Sequence, residues 1–151
     1  MPIEDGVTGA GAVLIGSYNL QDFRARMQAK NVDLGLNLNG HKYKTDNYRS
    51  GNHAALESIN GEIRHGGQQD FVVFRFGADD QKSNLPGVRK INTVTGLNQF
   101  LSDPRGVTTP NDYLNSKTDY FSIHGEKRMD DVVFALDVGR RKKQRYSYGS
   151  F

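Results

Sequence analysis

The chain of 151 residues has no cysteine, no tryptophan and no acidic residue beyond position 139. Without cysteine, disulfides, thiolate zinc sites and cysteine nucleophiles are excluded. Long apolar stretches are missing too. The longest uninterrupted one, residues 132–136, is far short of the ~20 residues that a bilayer-spanning helix needs. Residues 1–5 lack the cationic start of a signal peptide. The expectation is a soluble chain of the cytoplasm or a virion, without a membrane partner. Apolar residues make up only 36% of the sequence and glycine is frequent at 17, which predicts a modest core and much loop.

The charge is unevenly distributed. The net +3 depends on residues 140–145, where five of the six residues are Arg or Lys, while residues 1–139 carry 15 cations against 17 acids, a balance of −2. This composition predicts one compact domain over 1–139 and a basic, aromatic arm over 140–151. Arg140, Arg141, Lys142, Lys143 and Arg145, followed by Tyr146, Tyr148 and Phe151, join phosphate-pairing cations to stacking faces. Such a segment suits single-stranded nucleic acid or an acidic patch on a neighbouring subunit.

Hydrophobic spacing predicts an α+β fold made mainly of antiparallel strands. Leu20, Phe23 and Met27 recur at helical spacing and predict an N-terminal amphipathic helix near 19–30, with Asn19 as its cap. Alternation of Leu34, Leu36 and Leu38 ahead of Asn39-Gly40 predicts a hairpin over 32–45 turning at that dipeptide. Further strands are expected near 71–76, 120–123 and 132–138, and one or two short helices near 53–59 and 96–101. Polar, Pro/Gly-punctuated stretches near 77–87 and 105–117 read as long loops.

Catalytic motifs are sparse. His41, His53 and His65, with Glu57 and Glu62 nearby, are the candidates for a His/carboxylate cluster, and they lack the HxxxH or HExxH spacing of the common metal sites. No cofactor or metal is expected. Leu14-Ile15-Gly16-Ser17, with Asn19-Leu20 and Arg24, loosely resembles the second half of the GIY-YIG nuclease signature. Leu14 stands where that family has tyrosine and no GIY half precedes it, so the water-activating group is missing. The texture of the chain resembles small virion or tail components of bacteriophages. The first expectation is therefore a structural, self-associating subunit whose basic arm docks on a neighbouring copy. A nucleic-acid-binding accessory protein ranks second and a phosphodiester hydrolase third.

Overall fold

The computed structural model describes residues 6–150. It is a single antiparallel meander. Seven strands, β1 (Gly6–Gly16), β2 (Leu20–Asn31), β3 (Leu34–Thr45), β4 (Ala54–Gly66), β5 (Phe71–Asn84), β8 (Tyr113–Met129) and β9 (Val132–Tyr148), form one sheet in the order β1-β2-β3-β4-β5-β8-β9. A two-stranded ribbon, β6 (Ile91–Asn92) and β7 (Leu97–Asn98), and a four-residue helix, α1 (Gln99–Ser102), occupy the connection between β5 and β8. Every neighbour in the sheet follows its partner in sequence apart from that one excursion, so the edges β1 and β9 are left open.

The α+β expectation is therefore corrected to nearly all β. Residues 19–30 form no helix: β2 occupies 20–31, and Phe23, Ala25, Met27 and Ala29 alternate with Arg24, Arg26, Gln28 and Lys30 along it. Helical spacing emerges only if the two alanines are ignored; counting them gives period two, the pleat of a strand. Asn19 is a turn residue with φ 56°, next to Tyr18 at φ 59°, in the tight β1–β2 connection closed by Leu20 N–H donating to the Ser17 carbonyl at 3.3 Å. Asparagine tolerates that left-handed conformation because its side chain hydrogen-bonds locally.

The 32–45 hairpin is also displaced. Its turn is Val32-Asp33, and Asn39-Gly40 lies inside β3, paired with Arg26 and Ala25 on one side and Asn60 and Ile59 on the other. The Asn39 amide donates to Asn37 Oδ1 at 3.2 Å and Asn60 Oδ1 at 3.1 Å, so a turn-forming residue serves as a cross-strand rung instead. The short helix near 53–59 is replaced by β4, and that near 96–101 by the single turn α1, capped by Asn98 Oδ1 accepting from the Phe100 and Leu101 amides. Strands anticipated at 71–76, 120–123 and 132–138 are present but are pieces of much longer ones. The 77–87 loop is mostly β5, and residues 140–148, read as an arm, continue β9.

The two ends of the sheet differ. At one end the connections are brief: residues 32–33, 67–70 and 130–131. At the other, residues 46–53 and 85–112 form longer excursions that hold each other. There Arg49 donates to the carbonyls of Pro86 and Gly106 at 3.0 and 2.9 Å, and Ser50 N–H donates to the Arg105 carbonyl at 2.8 Å. Arg105 lies 5.8 Å from the rings of both Tyr18 and Tyr48. Past β9, Ser150 donates from its amide and hydroxyl to Asp112 Oδ1 at 2.9 and 2.6 Å.

Candidate functional surfaces

Pairing runs without a break in register across all seven strands, so parity alone assigns each strand residue to one of two faces. One face is apolar. It presents Val7, Val13 and Ile15 from β1, Phe23 and Met27 from β2, Leu34, Leu36 and Leu38 from β3, and Ile59 and Ile63 from β4. Val72, Phe74 and Phe76, then Phe121 and Ile123, then Val132, Phe134, Leu136 and Val138 continue it to the other edge. The opposite face is mainly polar, with Asp22, Arg24, Arg26, Asn37, Asn39, His41, Ser58, Glu62, Arg64, Arg75, Thr118, His124 and Asp137, and also carries Leu14, Leu56, Phe71, Val73, Leu114 and Val133.

Burial is inverted relative to a water-soluble sheet. The strand side chains that are buried, Asp22, Thr45, Val73, Ser116 and Thr118, all lie on the polar face, Val73 at 1% exposure. On the apolar face of the interior strands Ile59 is 54% and Phe121 44% exposed. An apolar-in, polar-out sheet would reverse these values.

The apolar band is also slanted. Its centre shifts along the strands from near Gly11 in β1 to near Ala135 in β9, and the ladder places Gly11 opposite a β9 position seven residues further along. At ~3.3 Å per residue this is about 23 Å of rise over roughly 29 Å of sheet width, taking six spacings of ~4.8 Å, a slant of roughly 40°.

The polar face holds ordered charge pairs. Asp22 receives Arg24 Nη2 at 2.7 Å and faces His41 Nε2 at 3.0 Å. The Arg24 guanidinium chiefly holds the Asp22 carboxyl below its ordinary value; burial opposes the shift, and His41 adds to it. Arg75 Nε meets Glu62 Oε2 at 2.7 Å. His124 stands between Asp137 at 2.7 Å and Glu126 at 3.3 Å, with the Phe71 ring 5.6 Å away. A groove of about 480 Å³ on this face is lined in part by Arg24, Arg26, Asn39, His41, Ser58 and Asn60.

The histidine and glutamate candidates do not converge. His41 and Glu62 lie on the polar face, whereas Glu57 and His65 lie on the apolar one. Glu57 is engaged by Lys42 Nζ at 2.6 Å, which lowers its pKa, and His53 sits in the 46–53 loop with Nδ1 2.7 Å from Asp46. Among the described residues no group of three or more His, Asp or Glu side chains is arranged to hold a metal ion. The basic candidates are divided as well. Arg141, Lys143 and Arg145 join the polar face, while Arg140, Lys142, Tyr146 and Tyr148 join the apolar one, with Tyr148 stacked 6.5 Å from Tyr113. Phe151 lies outside the described residues, as does the 1–5 segment. Sequence reasoning missed the two continuous faces, the Asp22–Arg24–His41 and His124 groups included. Their signal was the period-two placement of Phe23, Ala25, Met27 and Ala29 in β2 and of Leu34, Leu36 and Leu38 in β3.

No helix among the described residues is long and apolar enough to cross a membrane. That criterion does not address strands. Comparison of the chain with family models, with curated proteins and with solved structures finds no match.

Proposed function

We propose that the seven-stranded sheet is part of the wall of a transmembrane β-barrel, with its apolar face against lipid and its polar face lining a water-filled lumen. The observation that carries this reading is the inverted burial: the buried strand side chains, four of the five polar, lie on the polar face from β2 to β8, while large apolar side chains of the other face are exposed. Lipid is the solvent in which that arrangement is favourable, since no unpaired sheet face then meets water. The slant of the band supports the same conclusion. A slab-shaped solvent needs a level band, and tilting the strands by roughly 40° levels it, within the ~35–45° tilt of membrane barrels. Connections of two to four residues at one end, against two long ones beside the three-residue β1–β2 turn at the other, also follow the membrane-barrel pattern.

By parity the polar face carries Arg24, Arg26, Lys30, Arg64, Arg75, Arg128, Arg141, Lys143 and Arg145 against Asp22, Glu62, Asp79, Glu126 and Asp137. Cations are in excess, so the solute class that this lumen favours is polar and anionic. Self-association of copies is a second reading, favoured by the two open edges, β1 and β9. It is compatible with the first, because closing a barrel requires further strands at both edges.

The absence of cysteine makes the test direct. Single cysteines placed along β5 at 72, 74, 75, 76 and 79 carry a fluorescent label in the chain refolded into phosphatidylcholine vesicles. The even positions are expected to be quenched by lipid-borne nitroxide and the odd ones by aqueous iodide. Uniform quenching by iodide, or a chain that alkaline carbonate washes off the vesicles, would overturn the proposal.

A further inference from the structure

The apolar face does not remain apolar along its whole length. Toward the long-connection end it is crossed by a belt of cations: Lys42 and Lys44 on β3, Lys82 on β5, Lys117 on β8, and Arg140 and Lys142 on β9. The belt follows the upper border of the apolar band, slanting with it, since the β9 members sit earlier in the ladder than Lys44 and Lys82 do. It also contains Glu57, Asp80 and Asp119, a net of three positive charges. Two of the acids are matched internally, Glu57 with Lys42 at 2.6 Å and Asp80 with Lys117 at 3.1 Å. Asp119 lies directly opposite Lys142 in the ladder. Among the described residues Lys44, Lys82 and Arg140 make no ion pair, and Lys44 and Lys82 share one rung two strands apart, about 10 Å at ~4.8 Å per strand.

The three positive charges left unmatched on a face otherwise meant for hydrocarbon need a counter-charge at that depth. Directly above an apolar band the available one is the headgroup layer, where long cationic side chains run their stems along the acyl region and place the charge among phosphates. We propose that this belt binds the phosphate groups of anionic lipids in the leaflet nearest the long connections. The proposal rests on the membrane reading given above and adds the lipid class to it. Parity sharpens it: on β9, Arg140 and Lys142 belong to the belt, and Arg141, Lys143 and Arg145 between and beyond them face the opposite way.

The experiment uses the whole chain refolded into vesicles of phosphatidylcholine with and without phosphatidylglycerol, then extracted in mild detergent. Retained lipid is counted by native mass spectrometry. The chain is expected to insert into both vesicles and to retain phosphatidylglycerol over phosphatidylcholine, with a preference that weakens at high salt and that millimolar inorganic phosphate does not displace. K44Q/K82Q/R140Q/K142Q is expected to lower that preference at least about fivefold. R141Q/K143Q/R145Q, of similar charge loss but opposite parity, is expected to leave it unchanged. Insertion with indiscriminate retention, displacement by free phosphate, or equal losses in the two variants would overturn the belt and leave the membrane reading standing. Failure to insert into either vesicle would overturn both.

Discussion

At Gly61 a β-carbon would stand 2.5 Å from Phe76 Cζ and 2.7 Å from Leu38 Cδ2, and at Gly77 one would stand 2.5 Å from Tyr120 Cε1. Each glycine thus lies under an aromatic ring from a neighbouring strand, Gly61 on the apolar face and Gly77 on the polar one. Gly77→Val is expected to displace the Tyr120 ring and destabilise the sheet by about 1–3 kcal/mol. If the ring is the cause, most of that cost vanishes in a Tyr120→Ala background, which denaturant unfolding of the four proteins in a double-mutant cycle would check. Asp22 gives a residue-scale prediction of a different kind. Its carboxyl is held below the ordinary value of 3.8, so its contribution to stability is complete above that pH and is lost as the pH falls below it. Asp22→Asn is accordingly expected to be less stable than the parent at pH 7, with the gap closing below about pH 4. Denaturant midpoints at pH 7, 4 and 3 read it; a gap that is constant with pH would mean that the charge on Asp22 is not what matters.

At the scale of the element, β2 is the informative strand, because its residues read equally as a helix until alanine is counted as apolar. Met27 lies near the centre of the apolar run and Gln28 beside it faces the other way. Met27→Lys is expected to destabilise the bilayer-inserted chain by about 2–4 kcal/mol, the cost of a lysine near the midplane of a barrel wall, and Gln28→Lys by no more than about 0.5 kcal/mol. Guanidinium unfolding from vesicles measures both, and similar losses at the two positions would contradict the face assignment. The same strand explains what was legible in the sequence and what was not. The β3 alternation and the β5, β8 and β9 cores could be read from β-branched and aromatic residues, because those side chains mark a strand by themselves. The β2 strand, the ends of β5 and the return of β4 could not, because the polar sheet face is built from the same Arg, Gln, Ser and Asn that elsewhere signal loops. Asn39-Gly40 misled for a related reason: a turn dipeptide is a local preference, and the pairing of β3 with long neighbours on both sides overrides it. The candidate site suffered most. Reading the basic segment as a unit hid the parity that divides Arg140 and Lys142 from Arg141, Lys143 and Arg145.

At the scale of the whole molecule the unfinished feature is the pair of edges. A sheet of seven strands leaves two rows of backbone N–H and C=O groups unpaired, on β1 and β9, and in hydrocarbon each unpaired group costs several kcal/mol. Edges in water are commonly blunted by charge, proline or bulges. The β1 strand, GVTGAGAVLIG, has none of the three, and its pairing with β2 is unbroken. The β9 edge has cations from Arg140 onward and is purely apolar on its apolar-face positions from Val132 to Val138. Both edges are thus chemically prepared for pairing at the level of the apolar band. The chain placed alone in detergent micelles is expected to join edge to edge into species of two or more copies, which native mass spectrometry resolves by mass. Hydrogen exchange supplies the structural half of the test. In an edge strand alternate amides point away from the sheet, so in a lone sheet the β9 amides should split into a slow set bonded to β8 and a fast set. In an edge-paired assembly the fast set becomes slow over Val132–Val138. A monomer whose outward β9 amides exchange freely in the presence of lipid would show that the edges do not close on one another and that other strands must supply the closure.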